Sequence, residues 1–181
     1  MTASPPAVTV TERLCLLPCC LDDLRPLYKI NADPRSWEHD PAERHASEAV
    51  TRSWIERAAV RWHTDGLSYW TARLGATGEV VGVGGAQRHV TGSWNVYYRL
   101  APEMRGQGYA TEIAQAGVEA AKMQDPDVPV IAWIMPHNVA SLRVIERLGF
   151  VDYGAWDNPA GGGVHRVYAD RLVDHFLAVS M

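Results

Sequence analysis

From residue 47 to residue 62 the apolar positions Val50, Trp54, Ile55, Ala58, Ala59 and Trp62 recur in steps of three and four. That is the period of an amphipathic helix, and Asp65-Gly66 ends it. The same period returns from about residue 108 to residue 123. There Ala110, Ile113, Ala114, Gly117, Val118 and Ala121 form an apolar stripe, opposite Glu112, Gln115, Glu119 and Lys122. The small residues on that stripe let the helix lie close to a sheet, and Asp125-Pro126 stops it. Shorter helical patterns cover residues 21–30, with Asp22 and Asp23 near the positive end, and residues 139–148.

Strand patterns fill the rest. Residues 8–17 read as one strand ended by Pro18, and residues 67–74 and 79–87 flank Gly75-Ala76-Thr77-Gly78, a hairpin signal. Thr91-Gly92 leads to a third antiparallel strand over residues 93–100. Residues 130–135 form a buried strand, another begins at Gly149, and the Pro159-to-Gly163 turn leads to a last strand over residues 164–172 and a closing helical turn. Residues 31–44, with two prolines, form a loop that is either a connector or part of a pocket. The order β-α-α-β-β-β-α-β-α-β-β defines an α+β protein with a strand–helix–strand crossover in its second half.

The length of 181 residues, without an internal repeat or linker-like stretch, predicts a single domain over 1–181. With 47% hydrophobic and 21% charged residues, the balance is that of a globular chain rather than a disordered one. Three cysteines, Cys15, Cys19 and Cys20, are an odd number without ligand-like partners, so neither a disulfide framework nor a metal site is expected. A reducing cytoplasm is the compartment this suggests. A net charge of −4 argues against nucleic acid as a partner. No apolar run approaches the ~18 residues of a membrane span, and the first residues lack the pattern of a signal peptide. An anionic ligand must therefore be held by a local positive feature.

Arg105-Gly106-Gln107-Gly108-Tyr109-Ala110, between a strand and a helix, supplies one. The first amides of a helix lack acceptors and carry about half a positive charge, and glycine lets oxygen atoms approach the backbone. It is neither a Walker loop, since no Gly-Lys-Ser/Thr follows, nor a Rossmann fingerprint, since the third glycine is missing. Taken alone, it reads equally as a helix start with glycine in its turn.

About thirty residues on, after the next strand, comes Asn138-Val-Ala-Ser141-Leu-Arg-Val-Ile145-Glu-Arg-Leu-Gly149-Phe150. Together the two segments resemble the GNAT superfamily of acyl-CoA-dependent N-acyltransferases. The family's pyrophosphate-loop motif is matched by Arg105, Gly108 and Ala110, and its Asn-led helix by Asn138, Gly149 and Phe150. Thr11-Glu12-Arg13-Leu14 and the meander also fit, and the chain looks most like the ribosomal-protein N-terminal acetyltransferase branch. The resemblance implies a mixed, mostly antiparallel sheet of about seven strands flanked by helices and splayed at the cofactor cleft. It implies acetyl-CoA as acyl donor, an amine acceptor, direct attack without a covalent enzyme intermediate, and a monomer or homodimer. Backbone groups near Tyr98, Arg99 and Leu100 would hold the pantetheine arm. Arg105, Gly106, Gln107, Gly108, Tyr109 and Ala110 would hold the pyrophosphate, Asn138 the pantetheine side, and Arg143 would either reach the CoA phosphates or lie on a solvated face. A non-catalytic acyl-CoA-binding regulatory module fits the same motifs, apart from Ser141.

Two departures from the family pattern matter. Many members place a tyrosine seven residues after the asparagine to protonate the leaving thiolate; here that position is Ile145. Ser141, in the first turn after Asn138, either takes that role or bonds a backbone amide at the helix start. The residue 93–100 strand offers no carboxylate base, and Asp152 and Asp157 lie at no clean equivalent position. That absence favours an α-amine, of which roughly a fifth is neutral at pH 7.5, against about one in a thousand for lysine. Among other candidates, Trp37, Trp94 and Trp156 are weighed between core and acceptor cleft, Trp54 and Trp62 are read as core-facing, and His39 and His137 as worth testing. Tyr153 is a further hydroxyl in reserve.

Overall fold

The computed structural model describes residues 7–172; the closing helical turn expected from the sequence lies outside them. The pattern predicts a single first strand, but the chain reverses within it. Thr11 donates its amide to the Leu14 carbonyl (2.9 Å), and its Oγ1 accepts the Leu14 amide (3.1 Å). This tight turn splits the segment into β1 (Thr9–Val10) and β2 (Leu14–Pro18), paired antiparallel. The sheet therefore has eight strands rather than about seven.

After a turn of 3-10 helix come α1 (Leu24–Ala32) and α2 (Glu48–Thr64). The residue 31–44 segment between them is less irregular than expected, since it winds into two 3-10 turns, Pro34–Trp37 and Pro41–Glu43. Then follow β3 (Tyr69–Leu74), β4 (Val80–Arg88) and β5 (Trp94–Leu100), the expected antiparallel meander. α3 (Tyr109–Gln124), β6 (Val130–Ile134), α4 (Val139–Arg147), β7 (Val151–Asp157) and β8 (Val164–Ala169) complete the order. The strands lie side by side as β1-β2-β3-β4-β5-β6-β8-β7, and only β5 and β6 run parallel.

The sheet buries both faces. On one, α3 and α4 cover Leu14, Trp70, Val81, Trp94, Val96 and Leu100. On the other, α1 and α2 place Leu27, Ile30 and Ile55 against Val83, with Trp54, Tyr69 and Tyr97 packed alongside. The small-residue stripe on α3 does what its composition suggests: a Cβ on Gly117 would fall 2.9 Å from the Gly85 carbonyl carbon, so the helix lies almost on the backbone of β4. The buried stripe is wider than predicted, taking in Ala116 and Ala120. Trp62 packs on the α3 side and Trp54 on the α2 side, both as expected.

Candidate active site

β5 and β6 pair only at Trp94 with Val130 and Asn95 with Ile131. Beyond that point the strands part. Which backbone groups of β5 are left facing the gap follows from its alternation. Trp94 donates its amide to Pro129 on the β6 side (3.0 Å), and Ala101 donates to Val81 on the β4 side (2.9 Å). Even-numbered residues therefore turn their backbone groups toward β6, and odd-numbered ones toward β4. Tyr98 and Leu100 present amide and carbonyl groups to the open edge, as the resemblance implies. Arg99 does not: its carbonyl lies against Gly82 of β4, and its side chain points to the α1 face. Its backbone is paired into the sheet toward β4, while the groups of its neighbours face the gap.

The gap is a cleft of about 160 Å³, walled by Val96 to Arg99 of β5 and Ala132 to Ile134 of β6, and bounded by Trp37, His39, Asn138, Ser141 and His165. At one end stands the loop before α3. Gly106 and Gly108 have φ of 77° and 86°, in the left-handed region that a side chain disfavours. Among the described residues nothing accepts the amides of residues 106–111, whereas Glu112 donates to the Gly108 carbonyl (3.1 Å) and begins the helical ladder. Six adjacent amides without acceptors, at the start of a 16-residue helix, are an arrangement able to bind an anion.

Three arginines hold this loop in place. Arg13 grips Glu112 with its Nε (2.8 Å) and Nη2 (2.7 Å), donates Nη1 to the Gln107 carbonyl (2.7 Å) and stacks 4.5 Å above the Tyr109 ring. Glu112 also accepts from Thr11 Oγ1 (2.5 Å), so the β1–β2 turn is the loop's anchor. Burial alone would raise the Glu112 pKa, but the bonds from Thr11 and Arg13 outweigh it and keep the carboxyl below its usual range. Glu112, read from the sequence as a surface residue of α3, is thus part of the site's scaffold. Arg105 donates to the Arg35 carbonyl (2.7 Å), and Arg35 in turn pairs with Glu103 (2.6 Å), tying the loop to the residue 31–44 segment. Ala110 and Tyr109 rest on the core, and Gln107 is exposed.

Across the gap, following β6, is the start of α4. Asn138 caps it, accepting the Ser141 amide on Oδ1 (3.2 Å). That leaves the Ser141 hydroxyl free of the capping duty weighed for it, and it lies within hydrogen-bonding reach of the Tyr98 phenol. The Tyr98 hydroxyl donates to the Ser141 carbonyl (3.0 Å), and burial pushes its pKa well above the usual range, so it remains a neutral phenol. Arg143 is exposed on α4, and Ile145 is fully buried in the core.

The remaining candidates separate cleanly. Trp37 and His39 line the cleft, Trp94 is core, and Trp156 is exposed on the edge strand β7. His137 Nε2 lies 2.7 Å from the His39 carbonyl, so the His137 side chain bridges one side of the cleft. Asp152 pairs with Arg166 and accepts the Gly154 amide (2.8 Å), Asp157 is exposed on β7, and the Tyr153 hydroxyl donates to Arg171 (3.3 Å). None of the three lines the cleft. Sequence reasoning missed the Arg99 side chain, Tyr97, Trp133 and His165, which reach the cleft from three strands. Nothing in their spacing could have announced it, because long-range pairing of β6 with β8 brings His165 there. Among the described residues no group of His, Cys, Asp and Glu is placed to hold a metal ion, and no helix is long and apolar enough to cross a membrane.

His39 supplies a pH test of this architecture. Burial, with the nearby Arg99 charge, lowers its pKa from 6.5 to about 4. Between those values the unfolded chain binds the extra proton, so stability should be lost as pH falls from about 6.5 toward 4. His39→Asn should make that loss shallower by on the order of 1 kcal/mol, allowing for the half-exposed ring. Identical melting-temperature profiles of mutant and wild type between pH 4 and 7 would contradict the placement of His39.

The splayed parallel pair, the glycine loop at a helix start and the capped second helix define an acyl-CoA transferase cleft. A family model described as an acetyltransferase (GNAT) domain matches residues 13–151, and the chain belongs to that family. It is an acyl-CoA-dependent N-acetyltransferase. Solved structures share the fold. An acetyltransferase from Agrobacterium tumefaciens is 25% identical, with a TM-score of 0.77 over 93% of this chain and 96% of that one. A GNAT-family acetyltransferase from Bordetella pertussis is 22% identical (TM-score 0.76; 91% and 99% covered). RimL, a ribosomal-protein α-N-acetyltransferase solved with coenzyme A, is 18% identical (TM-score 0.73; 92% and 98% covered). No curated protein sequence matches.

Proposed function

We propose that the protein transfers an acetyl group from acetyl-CoA to a primary amine, within a single domain. The observation that carries this reading is the run of acceptor-free amides at residues 106–111, placed at one end of the cleft opened by β5 and β6. The amides of residues 106–111, with Arg105 nearby, would bind the pyrophosphate. Tyr98 and Leu100 backbone groups would bond the pantetheine arm like an added strand, and the free amide nitrogen of Asn138 would bond it from the α4 side. In this arrangement the thioester would lie near Ser141.

The neutral amine attacks the thioester carbonyl carbon, the C–S bond breaks, and the nitrogen gives up a proton to solvent. The departing thiolate takes a proton, and Ser141 is the hydroxyl placed to hydrogen-bond or protonate it. Neither Asp152 nor Asp157 can serve as general base from where they lie, which supports an acceptor that is already partly neutral near pH 7.5, such as an α-amine.

A screen of peptide N-termini and small amines, read by CoA release, tests the reaction. Amine-dependent release with N-acetylated product is expected; none with any amine would overturn it. With an α-amine acceptor, kcat/KM should rise about tenfold per pH unit and level off near pH 8, the pKa of the amine. A flat profile between pH 6 and 8 would show that an enzyme group, rather than the amine, sets the rate.

A further inference from the structure

The reacting end of the cleft contains a cation that the acetyl-transfer chemistry does not use. Arg99 is only 9% exposed. Its Nε donates to the Tyr97 hydroxyl (2.8 Å), its Nη1 to the Ser36 carbonyl, and its guanidinium lies 3.3 Å from the centroid of the Trp37 ring. All three partners are neutral. None of the ion pairs among the described residues includes Arg99, and its Nη2 donates to no acceptor there.

A buried charge held by neutral groups is satisfied in hydrogen bonding but not in charge, and it stays expensive until an anion joins it. The surroundings do not supply one. Asp40 lines the same cleft without reaching ion-pair distance of Arg99. His39 and His45 are held neutral, mainly by burial and next by the Arg99 charge. In the proposed binding mode the CoA pyrophosphate lies on the amides of residues 106–111 rather than on Arg99. Arg99 shares the cleft with Asn138 and Ser141, whereas none of residues 105–110 lines it there. The Arg99 side chain leaves β5 on the sheet face opposite α3, toward Ser36 and Trp37.

We propose that Arg99 is the specificity-determining residue of the acceptor site, and that the acceptor is a small amine carrying an anionic oxygen group, a carboxylate or a phosphate, on the same molecule. The Arg99 Nη2 donates to that group while Trp37 holds the guanidinium flat. The His137 bridge to the His39 carbonyl closes one side of the cleft and suits a compact acceptor rather than a long peptide. This rests on the acetyltransferase reading and names the substrate class for it.

The test compares matched α-amine acceptors under saturating acetyl-CoA: aspartic acid α-amide with asparagine amide, O-phosphoserine amide with serine amide, and an Asp-containing tripeptide with its Asn counterpart. Values of kcat/KM are taken per neutral amine. Wild type should prefer an anionic small amine about 10–100-fold over its neutral partner, the range of a charged hydrogen bond. The carboxylate and phosphate arms tell which group fits. In Arg99→Gln the ratio should fall to near one. Arg99→Lys, which keeps the charge but loses the planar fork, should retain an intermediate ratio, and it carries the test if the glutamine variant fails to fold. Equal rates for each pair, or a preference that survives Arg99→Gln, would overturn the proposal. So would peptides outperforming both small-molecule arms. If no amine releases CoA at all, the acetyl-transfer reading fails instead. Saturation-transfer NMR with aspartic acid α-amide and asparagine amide then decides the anion site: binding of aspartic acid α-amide that Arg99→Gln abolishes upholds it, and no selective binding removes it.

Discussion

Valine at position 108 is expected to weaken acetyl-CoA binding by about 100-fold or more and to lower stability by about 1–3 kcal/mol. Two independent causes act at this residue. Gly108 has φ +86°, so a β-branched residue there is strained whether or not ligand is bound. Its Cβ would also sit 3.2 Å from Arg13 Nη2, so the arginine that organises the loop must shift. With the branched group filling the cradle, several amide-to-phosphate bonds are lost, each worth roughly 1.5–3 kcal/mol because the acceptor is charged. The two causes can be separated with Gly78→Val. Gly78 lies in the β3–β4 turn with φ +74° and open space around it, so the same strain is imposed far from the cleft. That variant should lose stability and keep its affinity. Calorimetric titration with acetyl-CoA measures both; equal affinity of a folded Gly108→Val protein would show that the loop is only structural.

The second large effect is on turnover. Ser141→Ala should cut kcat by about 10–100-fold and leave the acetyl-CoA dissociation constant nearly unchanged. A positioned acid typically contributes about 10²–10⁴-fold, but a thiol with an ordinary pKa near 8.5 leaves readily as thiolate, which argues for the lower end. The structure makes the variant a clean one. Asn138 caps the helix and Tyr98 holds the Ser141 carbonyl, so removing the hydroxyl leaves both supports in place. A group that acts only in the transition state lowers kcat without changing binding. Restoring the family's usual tyrosine at position 145 is a poor complement, because Ile145 is fully buried and the larger ring would overpack the core. Wild-type turnover of Ser141→Ala would remove the serine from the mechanism and direct attention to Tyr98, whose hydroxyl lies beside it.

Much of this was readable along the chain, and the parts that were not share a physical reason. The meander, α3 and the Asn138 helix each declare themselves locally, through turn residues and a period of two or 3.6. The glycine loop did so too, since a helix start needs only its own amides to hold an anion. The reversal at Thr11 was hidden because it depends on one side-chain hydroxyl inside an apolar run. Glu112 read as solvated because its partners, Thr11 and Arg13, stand about a hundred residues away. Arg99 was assigned by position on its strand. Its true place depends on strand parity, which only the pairing of β5 with β4 and β6 fixes. Trp133 and His165 reach the cleft through the same sheet, so local sequence carried no trace of them.

Every step above depends on acetyl-CoA occupying the cleft between β5 and β6 with its pyrophosphate on the loop before α3. Thermal unfolding with and without acetyl-CoA tests that most directly. A ligand at 100 times its dissociation constant should stabilise the fold by ~2.7 kcal/mol, which for a chain of this size raises the melting temperature by roughly 5–10 °C. The gain should grow with concentration and fall to about 0.4 kcal/mol or less in Gly108→Val at the same concentration. No shift at millimolar acetyl-CoA would contradict the account.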